Sequence, residues 1–337
     1  MTSNSNSIAP CSPEVFTYLD SPAFLRLALN TLSILSTPIY CLGTYCILFK
    51  TPKEMQSVKW YLLSLHLWVA MFDYATTLSV PFFLIPTAAH ISYGLLRYLG
   101  MSTATETTIG GLVIYYMLIT IAAIYENRFF ILCTFPFKNQ WAIGRRIWFF
   151  LHCLLVTVML VPEYTKLPDV ETARRTLREQ LPCLPAYIYL EPIYLPSVEE
   201  SHSTRASGLT IILMFFVLET SLFLGLTIRD GVNQRKSGIM SEKTYKMHKQ
   251  FLIATLAQIT VPFAQFVVPM AFVIGCMYTN YRNQAAMNIS LIVFTTHGLV
   301  STAVMVIAHR PYRSAVRDMF GRLKVHRKST VVSIQSH

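Results

Sequence analysis

Long apolar runs separated by short charged segments set the pattern of this chain. Residues 27–49 carry no charge, residues 60–86 carry only Asp73, and residues 107–125 are uncharged up to Glu126. Residues 147–162 are uncharged but short, residues 208–228 carry only Glu219, and residues 251–278 and 285–307 are again uncharged. About 20 mostly apolar residues cross a bilayer core as a helix, so each run predicts one span. The predicted helices cover 24–49, 60–86, 105–128, 143–162, 207–229, 250–278 and 285–308. The runs are apolar on every face, unlike the alternating segments of a membrane β-barrel. Pro38, Pro81, Pro262 and Pro269 lie inside spans and predict kinks, because neighbouring helices can satisfy the carbonyls they free.

The polar segments give the orientation. Segments 50–59, 128–146 and 229–249 and the tail from 310 hold 20 of the 28 Lys and Arg residues. Lys and Arg concentrate on the cytoplasmic side. The fold class expected is therefore an all-α membrane protein, a seven-transmembrane helix bundle with the N-terminus outside and the C-terminus inside. It divides into an extracellular tail (1–23), a membrane domain (24–309) and a cytoplasmic amphipathic helix and tail (310–337). Residues 1–23 lack the basic and apolar regions of a signal peptide, so the first helix would serve as the insertion signal. Composition agrees: of 337 residues, 53% are hydrophobic and 13% charged, about half the charge content of a soluble domain. The net charge of +11 is an asymmetry between membrane faces, so it gives no support to nucleic acid as a partner.

A set of local motifs adds to the topology. The third span ends in YENRFF (125–130), and the seventh in HRPYR (309–313). With SPEVFTYLDSP, CILFKTPKEM, KWYLLSLHLW, PFFLIP, GLLRYLG, LPCLP, SEKTYKMHKQF and HGLVSTAVM, in this order, they resemble the nematode serpentine receptor class H chemoreceptors. The resemblance covers nearly the whole chain. It implies a plasma-membrane, G-protein-coupled chemoreceptor of sensory neurons. Its partners would be a small-molecule cue, a heterotrimeric G protein and the lipid bilayer. The chain departs from the wider rhodopsin-like pattern. Glu126-Asn127-Arg128 stands near the place of Asp-Arg-Tyr, Pro311-Tyr312 follows the seventh span instead of an Asn-Pro-x-x-Tyr within it, and that span has no Lys for a retinal Schiff base.

Buried ionisable groups in a membrane are costly and are functional candidates by default. Asp73 should face the bundle as a switch or ion site, or as a packing hydrogen bond. Glu219 could meet a cationic ligand group or pair with His297; a purely structural role is the alternative. His66 and His297 read as packed, hydrogen-bonded residues, with His297 also a ligand candidate. Glu126 and Arg128 could form a pair that releases on G-protein docking; snorkelling of Arg128 is the alternative. Pro262 and Pro269 make the sixth helix a plausible moving part. Pro311, Tyr312 and Arg313 open an amphipathic helix whose apolar positions Tyr312, Val316, Met319, Phe320 and Leu323 recur at helical spacing. The third span has no Cys at its outer end, so the available extracellular pair is Cys11–Cys183, with two free thiols as the alternative. The segment 163–207, rich in Pro and Tyr, is a lid or a simple cover. No catalytic Asp pair, Ser-His dyad or HExxH spacing occurs, so no enzyme activity, metal or cofactor is expected. A seven-helix ligand-gated channel or transporter is the rival reading.

Overall fold

A computed structural model describes residues 16–53, 56–165, 168–196, 198, 201–238, 241–319 and 321. Helices dominate. In chain order they are α1 (Pro22–Lys50), α2 (Gln56–Ser79), α3 (Leu95–Tyr98), α4 (Thr103–Leu132), α5 (Lys138–Thr165), α6 (Val170–Gln180), α7 (His202–Lys236), α8 (Glu242–Thr279), α9 (Gln284–Thr295) and α10 (His297–Ala308). A further helix, α11, runs over 310–319. Five segments are long and apolar enough to cross a membrane: α1, α4, residues 138–158 of α5, α7, and α9 with α10 taken together. The chain is a multi-pass membrane protein.

Serine side chains start several of these helices. Ser21, Ser102 and Ser201 accept hydrogen bonds from the backbone amides of Phe24, Thr105 and Thr204, satisfying donors left open at a helix start. The long helices close a ring: α1 packs on α2 and α10, α2 on α4, α4 on α7, α7 on α8, and α8 on α10, with α5 outside against α4. Phe72, Met117, Phe216, Phe266 and Phe294 build the apolar centre of this ring.

The expected second helix, 60–86, ends early. Val80 takes φ 45°, in the left-handed region that a β-branched residue enters only at a turn. Pro81, expected as a kink, instead opens strand β1 (Pro81–Leu84), a position where its missing N–H costs least. Strand β1 pairs antiparallel with β2 (Ala89–Ser92), which pairs with β3 (Ile193–Tyr194). The chain is therefore not all-α: a three-stranded sheet caps one end, called the hairpin end below.

The segment expected as a lid or cover is a packed layer with its own core. Phe82, Leu84 and Ile91 of the hairpin, Ala173 and Leu177 of α6, and Ile188 meet Leu25 and Leu29 of α1. The Tyr189 hydroxyl accepts from the Leu184 amide at 3.2 Å and donates to the Leu181 carbonyl. Arg205 of α7 donates to the Thr87 carbonyl at 2.8 Å, tying the hairpin turn to the bundle. The expected seventh helix is interrupted at Thr296, whose amide still reaches the Ile292 carbonyl.

Candidate functional site

Beneath the hairpin lies a cavity of about 330 Å³. Strands β1 and β2 roof it, with Phe83 and His90. Helix α4 contributes Glu106, Thr107, Gly110, Gly111 and Ile114, and α8 contributes Pro269, Met270, Val273 and Met277. Phe72 of α2 and Phe294 of α9 also line it. The lining is overwhelmingly apolar, with a few polar groups, as in small-molecule sites generally.

The polar groups gather near the hairpin. Ser92 on β2 donates to the Ser79 carbonyl at 2.6 Å and contacts Glu106 Oε2. Glu106 sits in the first turn of α4, where the helix dipole favours an acid. The Thr107 hydroxyl donates to the Thr103 carbonyl and meets His90 Nε2, both at 2.7 Å. His90 is held between Phe83 and Tyr194, its register neighbours on β1 and β3, at 4.8 Å between ring centroids on each side. Burial pushes its pKa down to about 4, against a smaller opposing effect of the Ala88 backbone. His90 is therefore neutral at physiological pH.

Asp73 lies deeper, on α2, 4% exposed. Its Oδ2 accepts from the Tyr40 hydroxyl of α1. His297, at the start of α10, is 3.9 Å from Asp73 Oδ1, but its Nδ1 is directed to the Phe294 carbonyl at 2.8 Å and its Nε2 meets the Met117 sulfur at 3.3 Å. Asp73 and His297 are thus neighbours without a mutual hydrogen bond. His66 is hydrogen-bonded too, through Nε2 to the Tyr40 carbonyl at 3.0 Å.

Two expected pairings are corrected. Glu219 does not pair with His297. It accepts from Trp148 Nε1 at 2.8 Å and lies 3.3 Å from His152 Nε2, because it is on the face of α7 turned toward α5. Glu126 does not pair with Arg128. It binds Arg145 of α5 at 2.7 Å and Trp141 Nε1 at 2.8 Å, and Arg145 also donates to Asn127 Oδ1 at 3.0 Å. Residues two apart on a helix face different directions, so Arg128 turns inward instead, 7% exposed, with its charge acting on His309. His309 is buried, and its pKa falls to about 4 through burial first and the Arg128 charge second.

Tyr312 is fully buried against Cys46, Ile47 and Met305, its hydroxyl 2.8 Å from Thr51 Oγ1. Pro311 is half-buried in the first turn of α11, and Arg313 reaches back to the Ile307 carbonyl at 2.9 Å. Val316 packs beside this cluster, while Met319 is 40% exposed. Phe320, Leu323 and the Pro262 side chain lie outside the described residues. Cys183 is disulfide-bonded, whereas Cys41, Cys46, Cys133, Cys153 and Cys276 are free thiols; Cys11 lies outside the described residues.

The sequence matches the family of serpentine-type 7TM GPCR chemoreceptors, class Srh, over residues 20–322. The chain belongs to this serpentine class H chemoreceptor family. It is similar to serpentine receptor class H-72 of Caenorhabditis elegans, at 22% identity over 331 residues, covering 97% of this chain and 93% of that protein. In this serpentine receptor neither Glu219 nor His297 lines the cavity under the hairpin, and among the described residues its one carboxyl group is Glu106. Glu106, Thr107 and His90 went unselected in the sequence. Glu106 reads as an interfacial residue at the outer end of the third span, and His90 falls just beyond an apolar run that looks helical. The signal that could have found them is the Thr-, Glu- and Gly-rich outer half of that span, TATETTIGG (103–111).

Proposed function

We propose that this serpentine receptor binds a small-molecule cue in the cavity under the hairpin and activates a heterotrimeric G protein at the opposite end, in sensory neurons. The supporting observation is the cavity itself. It is enclosed by helices of the central ring, roofed by a packed cap and lined by apolar residues around a small polar group. The seven-span count, with α2 and α8 added to the five long apolar segments, is part of this proposal. So is the placing of the hairpin end outside, as the Lys/Arg distribution requires.

A ligand can shift the receptor only through different affinity for two arrangements of the helices. Helices α8 and α9 both line the cavity and pack on each other, so a molecule seated there bears directly on the α8–α9 packing. Arg128 and the surrounding Glu126–Arg145 cluster, at the other end of α4, are the proposed G-protein-facing elements. The test is G-protein activation in cells displaying the receptor, across a panel of volatile, water-soluble and lipid-like compounds. A dose-dependent response lost in Arg128→Ala at equal surface level is expected. An Arg128→Ala variant that signals normally would remove that residue's role.

A further inference from the structure

We infer that the cavity selects a small, mostly apolar molecule carrying one hydrogen-bond-donating head group. The head docks on Glu106, the tail points to the floor at Phe72 and Phe294, and Gly110 sets the tail's permitted length. This inference rests on the receptor reading only for its link to signalling.

The head group follows from the acceptors left open. Glu106 is 7% exposed, and its Oε1 lies buried without a hydrogen-bond partner among the described residues. Its other oxygen is taken by Ser92. Of the nearby polar groups, Thr107 is engaged with His90 and the Thr103 carbonyl, and Arg97 in an ion pair with Glu191 at 2.6 Å. Because the Thr107 hydrogen goes to the Thr103 carbonyl, His90 Nε2 donates to Thr107, and the buried His90 Nδ1, without a hydrogen-bond partner among the described residues, is a second open acceptor. What the cavity offers an incoming molecule is therefore an acceptor. A buried acceptor without a donor carries an uncompensated desolvation cost, and a ligand hydroxyl or amine N–H removes it. A carboxylate or an ether brings no hydrogen to Oε1.

The tail follows from the face of α4. Glu106, Gly110 and Ile114 succeed one another at four-residue steps on the cavity side. At 1.5 Å per residue they span about 12 Å from the polar end to the floor. The volume of 330 Å³ holds on the order of ten water-sized groups at about 30 Å³ each. A methyl built on Gly110 would meet no atom within 4 Å, so the space beside that glycine is open. A methyl there displaces no protein, and a larger residue at 110 is expected to take cavity volume from the ligand.

The experiment uses the full chain purified into lipid nanodiscs. Binding is read by ligand-observed NMR for straight-chain 1-alkanols from butanol to decanol, the matching 1-aminoalkanes, the methyl ethers of the alkanols, and the carboxylates of equal length. Donor-bearing members should bind with affinity rising with length up to a cutoff, and about tenfold or more tighter than the ethers. The stronger of the alkanol and amine arms identifies the head as neutral or cationic. Glu106→Leu should erase the preference for donors. Gly110→Leu should reject the longest members while keeping the short ones, and Gly110→Ala should shift the cutoff slightly, which guards against a folding artefact. Ethers or carboxylates binding as well as donors, an unchanged length profile in Gly110→Leu, or no binding in any series would each overturn the assignment. Glu106-dependent binding without G-protein activation would keep this assignment and remove the signalling reading. Activation by another compound, unaffected by both variants, would do the reverse.

Discussion

At the residue scale, one tight constraint between helices is Gly298. It begins the second half of the interrupted last span, where α10 meets α1 and α2. A Cβ at this position would run into the Tyr40 hydroxyl, the Asp73 carboxylate and Val69 Cγ1. The glycine therefore lets the Tyr40–Asp73 hydrogen bond exist under close-packed helices. Gly298→Ala should lower stability by about 1–3 kcal/mol, the usual cost of overpacking. Gly225→Ala, where the new methyl meets nothing within 4 Å, should stay within about 1 kcal/mol of the parent. Thermal midpoints of the two purified variants check this, and equal midpoints would refute the crowding argument. The Glu126 ion pair is the second residue-level case. Glu126 is 2% exposed and Arg145 17% in their side chains. Removing one partner of such a buried pair strands a charge, at roughly 3–5 kcal/mol. Arg145→Ala should be severely destabilised and Glu126→Gln in that background should recover much of the loss, whereas Arg128→Ala should leave the pair intact. A double-mutant cycle on thermal stability measures the coupling.

At the element scale, the hairpin cap carries a pH dependence. His90 is 3% exposed and its pKa falls from the ordinary 6.5 to about 4. Between those values the unfolded chain binds more protons than the folded one, so stability falls as pH falls. The contribution is complete above pH 6.5 and lost on the way to about 4; the full shift corresponds to about 3 kcal/mol. His309, at the other end, has the same depression. The thermal midpoint should therefore drop on acidification through this window, and His90→Gln should shrink the drop without abolishing it. An unchanged pH profile in His90→Gln would show that the ring is not buried as described.

The same cap marks how far hydropathy reading extends. Lengths of apolar run locate α1, α4 and α7 to within a few residues or a turn or two, because lipid exposure demands them. Residues 80–86 are as apolar as a helix, and a short apolar run does not reveal which structure buries it. Only the third strand, more than 100 residues later, makes a sheet of them. The break at Thr296 is equally silent in composition. Glu126 is legible as an acid at the end of the third span, but its partner is not, since Arg145 arrives from the next helix across a loop. The cavity residues stayed hidden for the same reason: Glu106 and His90 are distant in sequence until the hairpin folds over α4.

At the scale of the whole molecule, the charge asymmetry and the cavity make one joint claim. Twenty of 28 basic residues lie in the segments 50–59, 128–146 and 229–249 and the tail from 310, which places the hairpin end and its cavity outside if the Lys/Arg bias governs insertion. A chemoreceptor needs that orientation, because a cue in the surroundings must reach Glu106 without crossing the cell. The prediction is that a tag at residue 1 is labelled on intact cells, while a tag after His337 is labelled only after permeabilisation. The same cells test the proposed Cys11–Cys183 bridge. Cys183 lies in the cap and is disulfide-bonded, and such bonds persist in an oxidising compartment. Cys11→Ser and Cys183→Ser should give the same loss of surface expression, and the double variant should add nothing further. Removing a native disulfide typically costs about 2–5 kcal/mol, enough to affect surface levels. A reversed tag pattern would turn the cavity toward the cytoplasm and end the external-cue reading, whatever the chemistry inside the cavity.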